Sequence, residues 1–214
     1  MNQQCSKCSQ QMQPVYGQDH LTCYGCNTFF FPPSKTNGLD TVQLSAKETG
    51  FLCPKCPDES LKVGTILSTQ VACCGNCRGF VVDSGSFGFL AMALRESYKG
   101  PEDKPLMVDQ NALAERTNCP ACYQPMHAHP YHGPGNSVIN SCVSCQLTWL
   151  DHGELGTIIR APGQRGNDTT ARESDLIRSK FNQQAMQGHY GSRIVIGTVL
   201  HDMFEDLRAS ERRR

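Results

Sequence analysis

The chain has 214 residues with 20 basic and 20 acidic side chains, so its formal charge is zero and it lacks the overall Lys and Arg excess typical of nucleic-acid binders. Hydrophobic residues make up 38% and aromatics 7%, which is lean for one large apolar core and predicts small units held together by something other than burial. The longest mostly aliphatic run, 194–200, falls far short of the roughly 20 residues that span a bilayer, and Met1–Cys5 shows no basic and apolar leader, so a soluble cytoplasmic protein is expected.

The chain carries 13 cysteines, an odd count, and without a secretory leader metal ligation is favoured over disulfides. Twelve of them fall into six C-x-x-C pairs, and the pairs fall into three units. In the first unit, residues 1–48, Cys5 and Cys8 are followed by Cys23 and Cys26. Two residues between cysteines let a tight turn aim both sulfurs at one point, and two such knuckles complete a tetrahedron. The residues between the pairs are then a hairpin. Phe30 and Phe31 lie four and five residues past the last cysteine, and Pro32-Pro33 follows. Residues 32–50 read as an ordered loop or a strand pair.

The second unit, residues 49–100, repeats the pattern with Cys53, Cys56, Cys74 and Cys77. Val81 and Val82 occupy the positions of Phe30 and Phe31, and Asp83 then caps a helix over 84–98. Phe87, Leu90, Ala91, Leu94 and Tyr98 make one helical face, expected to pack back on the ribbon. Cys73 is left over; it reads as a strand residue, with a register shift that makes it a ligand as the alternative. A polar, proline-bounded stretch at 99–105 leads into a linker expected over 101–118, with a short helix at 109–116.

The third unit, residues 119–160, has Cys119, Cys122, Cys142 and Cys145. Trp149 and Leu150 stand at positions four and five, then Asp151, Gly153 and Glu154. Asp151 as N-cap with Glu154 three residues on fits a capping box. Catalysis by these acids is not expected, because four cysteines leave the metal no open position. His127, His129 and His132 lie in the hairpin; they read as exposed hairpin histidines, with a second, weak metal site as the alternative. Phe30 and Trp149 are the residues that stacking on bases would use, but their common position after the knuckle favours ribbon packing.

The run Cys119-Pro-Ala-Cys122 with Cys142-Val-Ser-Cys145-Gln-Leu-Thr-Trp149-Leu150-Asp151-His-Gly153-Glu154-Leu155 resembles the bacterial zinc-ribbon family named after transcription factor IIB, whose pattern is two C-x-x-C knuckles followed by a short Trp-Leu-Asp-x-Gly-Glu-Leu segment. The second unit resembles it more loosely and the first is a degenerate copy. Gly79 fits a glycine the family often has two residues past the last knuckle; Leu147 departs from it. The resemblance implies a ribbon fold and zinc bound by the cysteines, and its name suggests transcription.

Cysteine vanishes after residue 160. A helical C-terminal region is expected over 161–214, with a weak helix at 174–187 and an amphipathic one over 192–209 carrying Ile196, Val199, Leu200, Met203 and Leu207. That stripe either covers a ribbon of the same chain or docks a protein partner or a second copy. The fold expected is a small metal-stabilised α+β protein: three tandem four-cysteine zinc ribbons, each a β-hairpin with a short helix in the second and third, then the helical tail. Three Zn²⁺ per chain are expected, and a non-enzymatic, protein-interaction role. Nucleic-acid binding in transcription and rubredoxin-like iron redox chemistry are the alternatives. Twelve thiolates and three Zn²⁺ take the formal charge from zero to −6, which weighs against electrostatic binding to nucleic acid.

Overall fold

A computed structural model describes residues 3–15, 20–26, 28–104 and 107–163. The region expected to be helical from residue 164 on, with the 192–209 stripe, lies outside the described residues. The first unit forms a three-stranded antiparallel sheet of β1 (Gln13–Pro14), β2 (Leu21–Cys23) and β3 (Thr28–Phe30). Its strands are only two or three residues long, and its own core is Cys5, Met12 and Cys23, with Leu21 and Cys26 against them.

Seven strands make the second sheet. β4 (Gln43–Leu52), β5 (Ser60–Ile66), β6 (Thr69–Cys74) and β7 (Phe80–Asp83) come from the middle of the chain, and β8 (His127–Pro130), β9 (Val138–Cys142) and β10 (Leu147–Leu150) from the third unit. Their spatial order is β4-β5-β6-β7-β10-β9-β8. The composition predicted small separate cores, but the second and third units join edge to edge where β7 pairs antiparallel with β10. Val81 faces Trp149, and each lies four residues past its unit's last cysteine, so the two ribbons are related by a local pseudo-two-fold axis through that pair. The reason is physical. A hairpin ribbon ends in an unpaired strand edge, and pairing the two like edges satisfies both.

The boundary expected at residues 48–49 falls inside β4, which adds a fourth strand to the β5, β6 and β7 of the second ribbon. β4 is not legible as a strand because register shifts at Leu44/Glu48 and Glu48/Leu52 break its alternation, and Gly50 turns to φ +77°. Before β4, the chain crosses over the helices. Thr36 is wholly buried, Ser34 Oγ and Thr36 Oγ1 donate to Asp40 Oδ1 at 2.7 and 2.5 Å, and Leu39 and Val42 pack on the helical core.

Helix α1 (Ser84–Ser97) starts as expected: Asp83 is its N-cap and accepts from Ser86 N at 2.8 Å. The predicted stripe is buried at Phe87, Leu90, Ala91, Leu94 and Tyr98. Helix α2 (Gln110–Ala114) is capped by Asp109. Helix α3 (Glu154–Arg160) differs from expectation at its start. Its N-cap is Gly153 at φ 92°, and Asp151 does not cap it. Half of the capping box survives, since Asp151 N donates to Glu154 Oε2 at 2.7 Å. The Asp151 carboxylate is drawn away, accepting from Trp149 Nε1 at 2.9 Å.

The sheet is buried on both faces. Val71, Cys73, Phe80, Val82, Ile139 and Leu150 face α1 and α3. Leu61, Ala72, Cys74, Val81, Leu147 and Trp149 face the other way, in one cluster with cysteines of the second and third units. Arg95 ties the helices together, donating from Nη1 to Ile158 O and Ala161 O at the C-terminus of α3. Among the described residues no helix is long and apolar enough to cross a membrane.

Candidate metal centres

Each four-cysteine group is built from two knuckles, and in each group one of them closes its backbone with the same pair of bonds. In the first knuckle of the first group, Cys5 N donates to Gln10 O at 2.8 Å and Ser9 N to Cys5 O at 2.9 Å. The same pair of bonds recurs from Cys74 to Gly79 and Arg78, and from Cys119 to Gln124 and Tyr123. The turn requires a left-handed residue just past the second cysteine. Ser9, Arg78, Tyr123 and Gln146 all take it, with φ of 61°, 57°, 59° and 55°. The knuckle of Cys53 and Cys56 has Pro57 at that position, which cannot reach positive φ. It closes by Glu59 N donating to Cys56 O at 2.9 Å instead.

The twelve cysteines are gathered into three groups, Cys5/Cys8/Cys23/Cys26, Cys53/Cys56/Cys74/Cys77 and Cys119/Cys122/Cys142/Cys145, the sulfurs of each lying within 4.8 Å of one another. All thirteen cysteines are free thiols. Sulfurs bound to one Zn²⁺ at about 2.3 Å form a tetrahedron with edges of about 3.8 Å, against about 2.0 Å for a disulfide. Sulfur pairs within the groups stand 3.5 Å apart for Cys5 and Cys26, 3.3 Å for Cys8 and Cys23, 3.6 Å for Cys53 and Cys77, and 3.7 Å for Cys122 and Cys142. Donor type, number and spacing therefore fit a tetrahedral metal ion. A four-thiolate set suits Zn²⁺ or iron over magnesium or calcium.

The surroundings favour thiolate at selected sulfurs. Lys7 N donates to Cys5 Sγ at 3.4 Å, and this bond, with that from Cys8 N, lowers the Cys5 thiol to about 6. Asn76 Nδ2 donates to Cys56 Sγ at 3.4 Å. In the second group the Cys53 and Cys77 thiols donate to Cys74 and draw it down to about 2, while Cys53 is pushed up to about 12 by the same contact with Cys74. Four sulfurs crowded at one point share protons in this way, and a divalent ion takes the place of those protons. The groups differ in depth. All four cysteines of the second are buried, whereas Cys8 is exposed and Cys26, Cys122 and Cys145 are half-buried.

Cys73 is on the opposite face of β6 from Cys74, packed among Phe80, Val82 and the helices. Burial pushes its thiol up to about 12, and its Sγ donates to Cys74 O. It is a strand residue of the core and not part of any group. Trp149 is 0% exposed, packed over Gly79, where a Cβ would overlap its ring. Phe30 departs from the expected packing, at 38% exposed. Phe29 and Phe31 turn inward in its place, and Phe31 meets His152 at 4.5 Å and the Arg78 guanidinium at 4.1 Å. His127, His129 and His132 belong to none of the three groups.

Between the first unit and the fused pair runs a cleft of about 560 Å³, whose walls include Tyr24, Phe29, Lys55, Glu115, Asp151 and His152. Lys55, on the knuckle between Cys53 and Cys56, reaches Glu115 Oε1 at 2.5 Å and Asp151 Oδ2 at 3.5 Å. Burial pulls its ammonium down, but Asp151 and Glu115 outweigh that and hold it above its ordinary value. Sequence reasoning missed this triad. No spacing rule links a lysine inside one knuckle to acids 60 and 96 residues away. The two acids of the expected capping box are both engaged here: Asp151 as above, and Glu154 buried, its carboxyl pushed well up by burial and by Asp151. No protein-family description, no curated protein and no solved structure matches this chain.

Proposed function

We propose that the three groups hold Zn²⁺, that the second and third units are ribbons of the kind the family named after transcription factor IIB carries, and that the chain is a cytoplasmic, non-enzymatic protein-interaction adaptor. The observation that carries the adaptor reading is that three of the four most exposed large apolar side chains among the described residues stand at the cysteine knuckles. Tyr24 (71% exposed) and Val143 (85%) sit inside knuckles, and Tyr123 (61%) just past one. Large apolar side chains held out by metal-clamped turns are rigid anchors of the kind interfaces use. Four sulfurs complete a tetrahedral shell, leaving no position at which the metal would activate water.

The nucleic-acid alternative draws less support, because Trp149 is unavailable for stacking and each loaded four-thiolate centre adds two negative charges. Elemental analysis tests the metal. About three zinc atoms per colourless chain are expected, and a red protein with thiolate-to-iron absorbance overturns the zinc reading. Affinity capture from the native host, comparing the wild-type chain with the Tyr24→Ser/Tyr123→Ser/Val143→Ser variant at equal zinc content, tests the adaptor role. A partner held by the first and lost by the second is expected. Identical capture by both overturns the assignment of these anchors.

A further inference from the structure

We propose that His127, His129 and His132 form a further metal site, distinct from the cysteine groups, that takes a borderline divalent ion such as Ni²⁺, Cu²⁺ or Zn²⁺ through imidazole nitrogen. The two-residue period of β8 puts His127 and His129 on one face, and their rings stack with centroids 5.4 Å apart and planes 26° apart. His132, just past the strand, stacks on His129 from the other side at 5.4 Å and 23°. His129 is thus the middle of a three-imidazole strip. β8 is the last strand of the sheet, so the strip lies at an edge, with His127 and His132 exposed and His129 half-buried.

The hydrogen bonds of His129 orient it as metal-binding imidazoles are oriented. Nδ1 lies 3.0 Å from Pro130 O, a carbonyl that only accepts, so Nδ1 carries the proton. Nε2 then presents its lone pair, to which Ser141 Oγ donates at 2.9 Å. A carbonyl that fixes the tautomer and leaves the other ring nitrogen as donor is the usual support for a histidine ligand. A metal ion takes the place of the Ser141 proton at Nε2. His127 is directly opposite Ser141 in the strand register, so it is the neighbour placed to supply a second nitrogen.

Among the described residues only the cysteine groups bring three donors within 4.8 Å of one another. The strip therefore offers His129 with one neighbour at a time, and water completes the shell. Two neutral nitrogens without thiolate make a weak, exchangeable site, selective for ions that imidazole suits and indifferent to magnesium and calcium.

The test is titration of the zinc-loaded full chain with Ni²⁺, followed by calorimetry and equilibrium dialysis, with zinc measured in the same samples. One Ni²⁺ per chain is expected to be taken up with no zinc released. His129→Ala should weaken uptake about tenfold or more, and His129→Gln, whose amide still meets Ser141, should behave alike. His127→Ala and His132→Ala should each weaken it less, because His129 keeps one partner. Ser141→Ala, which removes a competing donor, should leave uptake unchanged or tighter. Uptake untouched by either His129 variant, uptake matched by zinc release, or no uptake at all overturns the proposal.

Discussion

Gly79 and Trp149 occupy the joint between the two ribbons, and their sizes are matched across it. Trp149 takes the space above Gly79, while on the other side of the pseudo-two-fold axis the smaller Val81 and the larger Leu147 fill the equivalent positions. Trp149 has no freedom to give way, being wholly buried with Nε1 bonded to Asp151. Gly79→Ala should therefore destabilise the protein by about 1–3 kcal/mol, as overpacking does, read as a lower denaturation midpoint with zinc content unchanged at the start. Glu154 makes a second case at this scale. Its carboxyl is pushed well above the ordinary value of 4.5 by burial and by Asp151, so the folded state binds its proton more tightly than the unfolded state. Wild-type stability attributable to this group is complete below pH 4.5 and declines as pH rises from there toward the raised folded value. Glu154→Gln keeps an acceptor for Asp151 N and removes the titration. Its melting temperature should exceed that of wild type at pH 7.5, by more than at pH 5.5. A gap that is absent, or that shrinks with rising pH, contradicts this account.

At the scale of elements, period and spacing carry most of what the sequence makes legible. The α1 stripe, the Asp83 cap and the strand-to-helix passage after the second knuckle of the second and third units all follow from local rules, and the structure has them where the rules place them. The pairing of β7 with β10 was out of reach, because each strand reads alike whether its edge meets solvent or a copy of itself. The cap of α3 was misread for a similar reason: Asp151 satisfies the local rule, but the indole of Trp149 and the ammonium of Lys55 compete for its carboxylate, and those partners are tertiary. Among the cysteines the grouping was legible in full, and so was the odd one out. Cys73 and Cys74 are adjacent on β6, and alternation sends them to opposite faces. Cys73→Val loses only the long Sγ donation to Cys74 O and adds about one methyl group to the core, so it should keep about three metals per chain at a modest cost in stability of about 1 kcal/mol. Cys74→Ser should lose metal. Elemental analysis of the two variants side by side checks this, and metal loss from Cys73→Val would mean the register of β6 is one residue different.

The whole molecule then sets which metal sites depend on one another. The first group has its own sheet and its own small core, and it meets the fused pair through Phe31 against His152 and Arg78, His20 against His152, and Phe29 at the margin of the shared core. The second and third groups share a single core, in which Cys53, Cys74, Cys119 and Cys142 pack around Val81 and Trp149. Metal binding is folding energy for units this small. Losing the third metal removes the organisation of β9 and β10, and with them the strand that pairs with β7 on the side away from β6 and the indole that roofs Gly79. The second group then loses one wall. Cys142→Ser should accordingly lower the zinc content from about three to about one, as both fused sites empty together. Cys23→Ser, in the separate first unit, should lower it only to about two. Native mass spectrometry resolves these species, and chelator titration of the wild type should show one independent release and one paired release. If Cys142→Ser retains two metal ions with the second group loaded, the β7–β10 joint holds the ribbons side by side without coupling their metals, and each ribbon folds on its own ion.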